Sequence, residues 1–208
     1  MIHDITRKVS DTIAVWPGDR LVQLNHGETT GELGSASTGS ILTSLHAGTH
    51  LDAPAHLFPG GPGVDLVPLE ACLGEALVID CHEAAVIEAE TLEPLVPAGT
   101  RRVLFKTRAG ARPDDGWLET WPAPTPKAAT LLLERGVTLV GLDSPSIDLF
   151  ESKDLPVHRL LLAAGVVILE NLDLGNVEEG TWELIALPLK LEGMDGSPVR
   201  AVLRSLEG

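Results

Sequence analysis

Tyrosine is absent from this chain, and aromatic residues of all kinds make up only 3% of it, so few side chains are available to stack on a ring. Cysteine is scarce as well. Cys72 and Cys81 are too few for a disulfide framework and lack Cys-x-x-Cys spacing, which suits inert packing thiols in a reducing cytoplasm. Positive charge is outnumbered: 15 Lys plus Arg stand against 30 Asp plus Glu, a formal net charge of −15 that repels phosphate backbones and anionic lipid. Nucleic acid and membrane are therefore not expected partners. No run reaches the ~18 apolar residues of a membrane span; the longest candidate, 160–169, is ten residues and contains Gly165. The opening residues Met1-Ile2-His3-Asp4-Ile5-Thr6 show no basic segment followed by an apolar one, so no secretory leader is expected.

A length of 208 residues is enough for one sizeable core, and a single domain over 1–208 is expected. There is no internal repeat, and the Pro-, Gly-, Asp- and Trp-rich stretch 109–125 reads as one extended surface loop. Short β-branched or alternating runs at 40–45, 76–80, 102–107, 138–142, 166–169, 182–191 and 198–204 read as strands. Several are apolar throughout, as in a sheet covered on both faces. One helix is well signalled: Thr125 can cap it, Pro126 fits its first position, 127–135 favour it and Gly136 can end it. Shorter helices are expected near 88–95 and 156–164, and Asp195-Gly196 is a hairpin turn signal between the last two strands. The sum is an α/β domain with a mixed β-sheet.

Against this background residues 46–56, His-Ala-Gly-Thr-His-Leu-Asp-Ala-Pro-Ala-His, stand out. Three histidines and an aspartate crowd into eleven residues, although each buried polar group without a partner costs about 1 to 3 kcal/mol. Gly48 and Ala53-Pro54 argue against an unbroken helix. A straight strand would hold His46 and His50 roughly 13 Å apart, too far for shared metal bonds. A strand ending near His46, a bend at Gly48-Thr49, and His50 with Asp52 on one face beyond it make a loop-borne metal site, and imidazole with carboxylate suits Zn²⁺ or Mn²⁺. Glu170 closes the apolar run Val166-Val167-Ile168-Leu169, where a carboxylate must be paired or metal-bound, and His158 precedes another apolar run. His3, His26 and His82 have no such neighbours. Gly34-Ser35 and Gly39-Ser40 lack the Gly-x-Ser-x-Gly spacing of a serine hydrolase.

The segment 46–56 resembles the signature of the cyclase-like metal-dependent hydrolases, and within them the chain is most similar to the bacterial kynurenine formamidases, or arylformamidases. The likeness extends through Val15-Trp16-Pro17-Gly18-Asp19, Gly141-Leu142-Asp143-Ser144-Pro145-Ser146, Ile168-Leu169-Glu170-Asn171-Leu172, Leu184-Ile185-Ala186-Leu187-Pro188-Leu189 and Ser197-Pro198-Val199-Arg200-Ala201. It implies a swivelling β/β/α fold, a homodimer or higher homo-oligomer, and two divalent ions, zinc or alternatively manganese. His46, His50 and Asp52 would hold one ion; Asp52, His158 and Glu170 would hold the other. His56 would donate and accept the proton, and Trp16 would line the pocket against an aryl ring. The implied reaction is hydrolysis of N-formyl-L-kynurenine to formate and L-kynurenine in tryptophan breakdown, with His56 protonating the departing nitrogen. Two rivals remain: a sister amide hydrolase resembling the manganese-dependent isatin hydrolases, and a non-catalytic metal-binding module with a closed coordination shell.

Overall fold

The computed structural model describes residues 1–27 and 37–206; the Gly34-Ser35 pair lies outside the described residues. In chain order the strands are β1 (Ile2–Asp4), β2 (Gln23–Asn25), β3 (Ser40–Leu42), β4 (His50–Asp52), β5 (Leu73–Asp80), β6 (Arg102–Lys106), β7 (Leu139–Leu142), β8 (Val167–Glu170), β9 (Gly180–Ile185), β10 (Gly196–Pro198) and β11 (Val202–Arg204). The helices are α1 (Leu69–Cys72), α2 (Ala89–Leu92), α3 (Pro126–Arg135) and α4 (Pro156–Ala163). Among the described residues, nine strands form one sheet in the order β1-β11-β9-β5-β6-β7-β8-β4-β10, and β2 and β3 form a separate pair. Strands β5 to β8 run parallel and the flanking pairs antiparallel, so the sheet is mixed.

Alternation along the central strands splits the core. Leu104, Leu139, Val167 and Leu169 pack in one apolar cluster with Leu51 of β4, Leu184 of β9 and Leu203 of β11, so the sheet curls until its two ends share an interior. Val103, Phe105, Val140, Leu142 and Ile168 face the other way, onto Leu92 of α2, Leu132 of α3 and Leu161 of α4. Two β layers and one helical layer result. The interior strands are buried along their length, which is why their sequences run apolar without alternation.

Helix α3 forms as its sequence specifies. The Thr125 side chain accepts from the Ala128 N–H, Pro126 occupies the first turn, and Gly136 at φ 87° closes the end. Three expectations need correction. The stretch 109–125 is not a plain surface loop: it begins in a 3-10 turn at Arg108–Ala111 and buries Ala109, Trp121 and Ala123 in their own apolar cluster. The strand expected at 182–191 ends at Ile185. The Asp195-Gly196 turn does not join the last two strands directly, because β9 pairs with β11 while Gly196–Pro198 leaves that ladder to pair with β4. That detour aims Asp195 at the histidines, as described next.

Candidate metal centre and its cavity

The carboxyl ends of three neighbouring parallel strands converge: Thr107 follows β6, Asp143 follows β7, and Glu170 closes β8. Such an edge is where open α/β sheets place ligands. Strand β4 lies antiparallel to β8 with His50 opposite Glu170, so period-two alternation puts His50, Asp52 and Glu170 on one face while Leu51 points into the core. On its other side β4 pairs with β10, where Gly196 lies opposite Asp52. A β-carbon at Gly196 would sit 2.9 Å from the Leu51 carbonyl oxygen and 3.0 Å from His46 Cε1, so only glycine fits there. His46 comes from the turn before β4, where Gly48 at φ 68° supplies the bend. His158 comes from the first turn of α4, and His56 from the 3-10 turn Pro54–His56.

The sequence-flagged residues His46, His50, Asp52, His56, His158 and Glu170 all line one cavity of about 510 Å³. His3, His26 and His82 do not. Asp52 lies at the centre, 1% exposed. His46 Nδ1 is 2.9 Å from its Oδ1, His50 Nε2 is 3.5 Å from the same oxygen, and His158 Nε2 is 3.4 Å from Oδ2. Glu170 stands beside it, 3.5 Å from His50 Nε2 and 3.3 Å from His158 Nε2. Ligand atoms of His50, Asp52 and Glu170 lie within 4.8 Å of one another, and so do those of His46, Asp52 and His56. That grouping divides the residues differently from the one implied by resemblance, since it sets His56 beside His46 and Asp52.

Protonation decides what this cluster is suited to hold. A neutral imidazole carries one proton, and in each ring here the outer nitrogen has a hydrogen-bond acceptor outside the central cluster to receive it. His50 Nδ1 donates to the Gly48 carbonyl at 2.9 Å, His158 Nδ1 to Asp148 Oδ2 at 2.8 Å, and His46 Nε2 to Asp195 Oδ2 at 2.9 Å. When neutral, each ring then turns a bare lone pair toward the carboxylates. Asp52, although buried, accepts no hydrogen bond at either oxygen. Lone pairs facing lone pairs in a buried site repel unless a cation sits between them. Nitrogen and carboxylate donors with outer nitrogens anchored by oxygen acceptors fit a divalent metal.

The electrostatics agree. Burial disfavours a charged His46, yet the Asp52 charge beside it and the hydrogen bond to Asp195 lift it to about 10. Burial likewise opposes charge on His158, and its hydrogen bond to Asp148 with the nearby carboxylates of Asp52 and Glu170 overcomes this and raises it well above the usual range. Asp52 is held well below the carboxylate range, its burial outweighed by the surrounding imidazoles, His46 first. The His46 hydrogen bond draws Asp195 down to about 2. The pocket thus favours positive charge at its centre.

Asp148 and Asp195 escaped the sequence reading. Both are short acids in turn-forming contexts, and Asp195-Gly196 in particular reads as a turn. Trp16, expected in the pocket, does line it, and its ring packs on Trp117 at 5.4 Å and Phe150 at 5.3 Å between centroids. Trp121 extends this wall and donates to the Asp148 carbonyl at 3.1 Å, tying the aromatic side to the residue that holds His158. Cys72 and Cys81 are buried, and burial pushes their thiols to about 11 and about 12, so both are unreactive packing residues. No helix among the described residues is long and apolar enough to cross a membrane.

The family described as putative cyclase matches residues 3–149. A kynurenine formamidase of Salinibacter ruber is 46% identical over 203 residues, covering 97% of this chain and 96% of that protein. A kynurenine formamidase of Bacillus cereus is 37% identical, covering 98% of this chain and 97% of that protein. Among solved structures, a potential metal-dependent hydrolase with cyclase activity superposes with a TM-score of 0.84 at 28% identity, covering 98% of this chain and 96% of that one. Isatin hydrolase A from Labrenzia aggregata, bound to benzyl benzoate, superposes with a TM-score of 0.84 at 27% identity, covering 100% of this chain and 94% of that one.

Proposed function

This chain belongs to the putative cyclase family, and on that premise we propose that it is a metal-dependent amide hydrolase that converts N-formyl-L-kynurenine to formate and L-kynurenine, a step of tryptophan degradation. The observation that carries the proposal is the buried Asp52 carboxylate, bare of hydrogen bonds and ringed by three imidazoles, at the base of a cavity walled by Trp16 and Trp117. The assignment to formamides rather than cyclic amides rests on 46% identity over nearly the whole chain, against 27% for the isatin hydrolase.

His46, His50, Asp52, His158 and Glu170 would hold two divalent ions, zinc by preference, with Asp52 as the carboxylate common to both sets of residues. A divalent cation bound there would supply Lewis acidity and a water nucleophile near neutral pH. Trp16 and Trp117 receive the aryl ring and keep water from that side. His56 protonates the aniline nitrogen as the formyl C–N bond breaks, a task suited to imidazole and worth ~10²- to 10⁴-fold in rate. Asp195, 3.6 Å from His56 Nδ1, orients that ring so that its other nitrogen meets the substrate. The chain works as a single domain over 1–208, assembled as a homodimer in the cytoplasm.

The test is formate release from N-formyl-L-kynurenine by purified protein, with metal content measured before and after chelation. Turnover lost with the metal and restored by zinc is expected. Hydrolysis of isatin with no formate release would favour the sister activity, and a metal-loaded protein inert toward both would overturn the catalytic reading.

A further inference from the structure

An aryl formamide with an amino-acid arm brings an α-carboxylate beside its α-ammonium, and that carboxylate needs a cation in the cavity lining that is not already committed to the protein's own acceptors. Asp19, Asp52, Asp114, Glu170 and Asp195 all line the cavity. Among the described residues the cationic side chains in this lining are Arg7, Arg112 and Lys153. The two arginines are committed. Arg7 donates to the Arg112 carbonyl at 2.7 Å and the Gly110 carbonyl at 2.9 Å, and pairs with Asp114 at 3.4 Å. Arg112 donates to the Ala109 carbonyl at 2.9 Å, to the Asp143 carbonyl at 2.6 Å and to the Asn171 side chain. Both are building elements of the cavity floor, locked in place by backbone oxygens.

Lys153 is different. Among the described residues it makes no hydrogen bond or ion pair, yet it lines the cavity together with its neighbours Ser152 and Leu155. Its loop is held in one course. Leu155 adopts a left-handed conformation, φ 44° and ψ 57°, which leucine tolerates only when surrounding structure enforces it. The Leu155 carbonyl accepts from the Arg159 N–H at 2.9 Å, and the Asp154 carbonyl accepts from Arg159 Nε at 2.8 Å. The loop leaves the aromatic wall at Phe150 and enters α4 at Pro156, so Lys153 lies between the ring-binding side and the helix that carries His158.

Resting on the formamidase reading above, we propose that the Lys153 ammonium binds the α-carboxylate of an aryl formamide bearing an amino-acid side chain, and so selects the substrate. A compact ammonium on a flexible stem suits a carboxylate that arrives from solvent at the end of a short aliphatic arm. The lysine's exposure keeps its contribution to that of one charge-assisted hydrogen bond rather than a buried ion pair.

The experiment compares two substrates in the zinc-loaded enzyme: N-formyl-L-kynurenine, and ortho-formamidoacetophenone, which keeps the ring, ketone and formamide but lacks the amino-acid group. Lys153→Met is expected to lower kcat/KM for the first by roughly 10- to 100-fold, mainly through KM, and to leave the second within about twofold. Lys153→Arg is expected to retain most of the preference. A variant that changes both substrates equally, or neither, overturns the role of Lys153 and leaves the formamidase reading standing. A wild-type enzyme that hydrolyses neither formamide overturns the formamidase reading, and this selection with it.

Discussion

Asp148 grips His158 at two points: its Oδ2 accepts the backbone N–H at 2.9 Å and the ring Nδ1–H at 2.8 Å, while Oδ1 accepts the Val157 N–H at 3.1 Å. One carboxylate therefore caps the start of α4, complements the positive end of its dipole and fixes which imidazole nitrogen faces Asp52. Asp148→Asn keeps the shape but weakens the hold on the ring proton and removes the charge. Metal affinity is expected to fall about 10- to 100-fold, as for other outer partners of metal-bound histidines, read by competition with a chelator. Unchanged affinity would mean that the helix cap is its whole role.

His56 and Asp52 separate proton transfer from metal binding. Asp52→Ala is expected to lose both metal and activity, since it removes the carboxylate at the centre. His56→Ala is expected to keep metal while losing ~10²- to 10⁴-fold in kcat. Metal analysis of purified His56→Ala discriminates: loss of an ion would make His56 a ligand alongside His46 and Asp52, the grouping their mutual proximity allows.

Asp143 gives a pH signature away from the metal. Burial raises its carboxyl from 3.8 to about 6, against the opposing hydrogen bonds from Thr107. A carboxyl that binds its proton more tightly in the folded state favours folding fully below its unfolded value, and that contribution is lost as pH rises through about 6. Relative to Asp143→Asn, the wild type is therefore expected to lose roughly 2 to 3 kcal/mol of stability between about pH 4 and pH 6, and no more above it. Denaturant unfolding of both metal-free proteins across that range checks the sign; parallel curves would refute it.

Gly196→Ala tests the close approach of β10 to β4. The added methyl meets a backbone oxygen and the His46 ring, so one or the other must move. A loss of about 1 to 3 kcal/mol in stability is expected, with weakened metal binding from the displaced imidazole. Normal stability and normal metal affinity together would show that the crossing yields easily.

The sequence made the site more legible than the scaffold around it. Six of the residues lining the cavity centre were visible from crowding, as at His46 to His56, or from polarity at the end of an apolar run, as at Glu170. The strand order was not visible, because β1, β4 and β10 are three residues each and too short for alternation to register. Asp148 and Asp195 were hidden for a different reason. An aspartate in a turn satisfies local backbone geometry so commonly that nothing in the sequence marks one whose carboxylate reaches a histidine instead. The same confusion produced the expectation of a simple Asp-Gly hairpin and of an exposed loop across Trp117 and Trp121.

His46 and Asp195 are 149 positions apart in the chain, and β4 has its full set of strand partners only when both β8 and β10 are present. During synthesis, at about 5 to 20 residues per second, the histidine cluster emerges early and waits roughly 7 to 30 seconds for its last neighbour. A cation captured by the nascent 46–56 segment would have to be held without Glu170 or Asp195, so the working centre is a late product of folding, completed when the far end of the chain threads back beside its beginning.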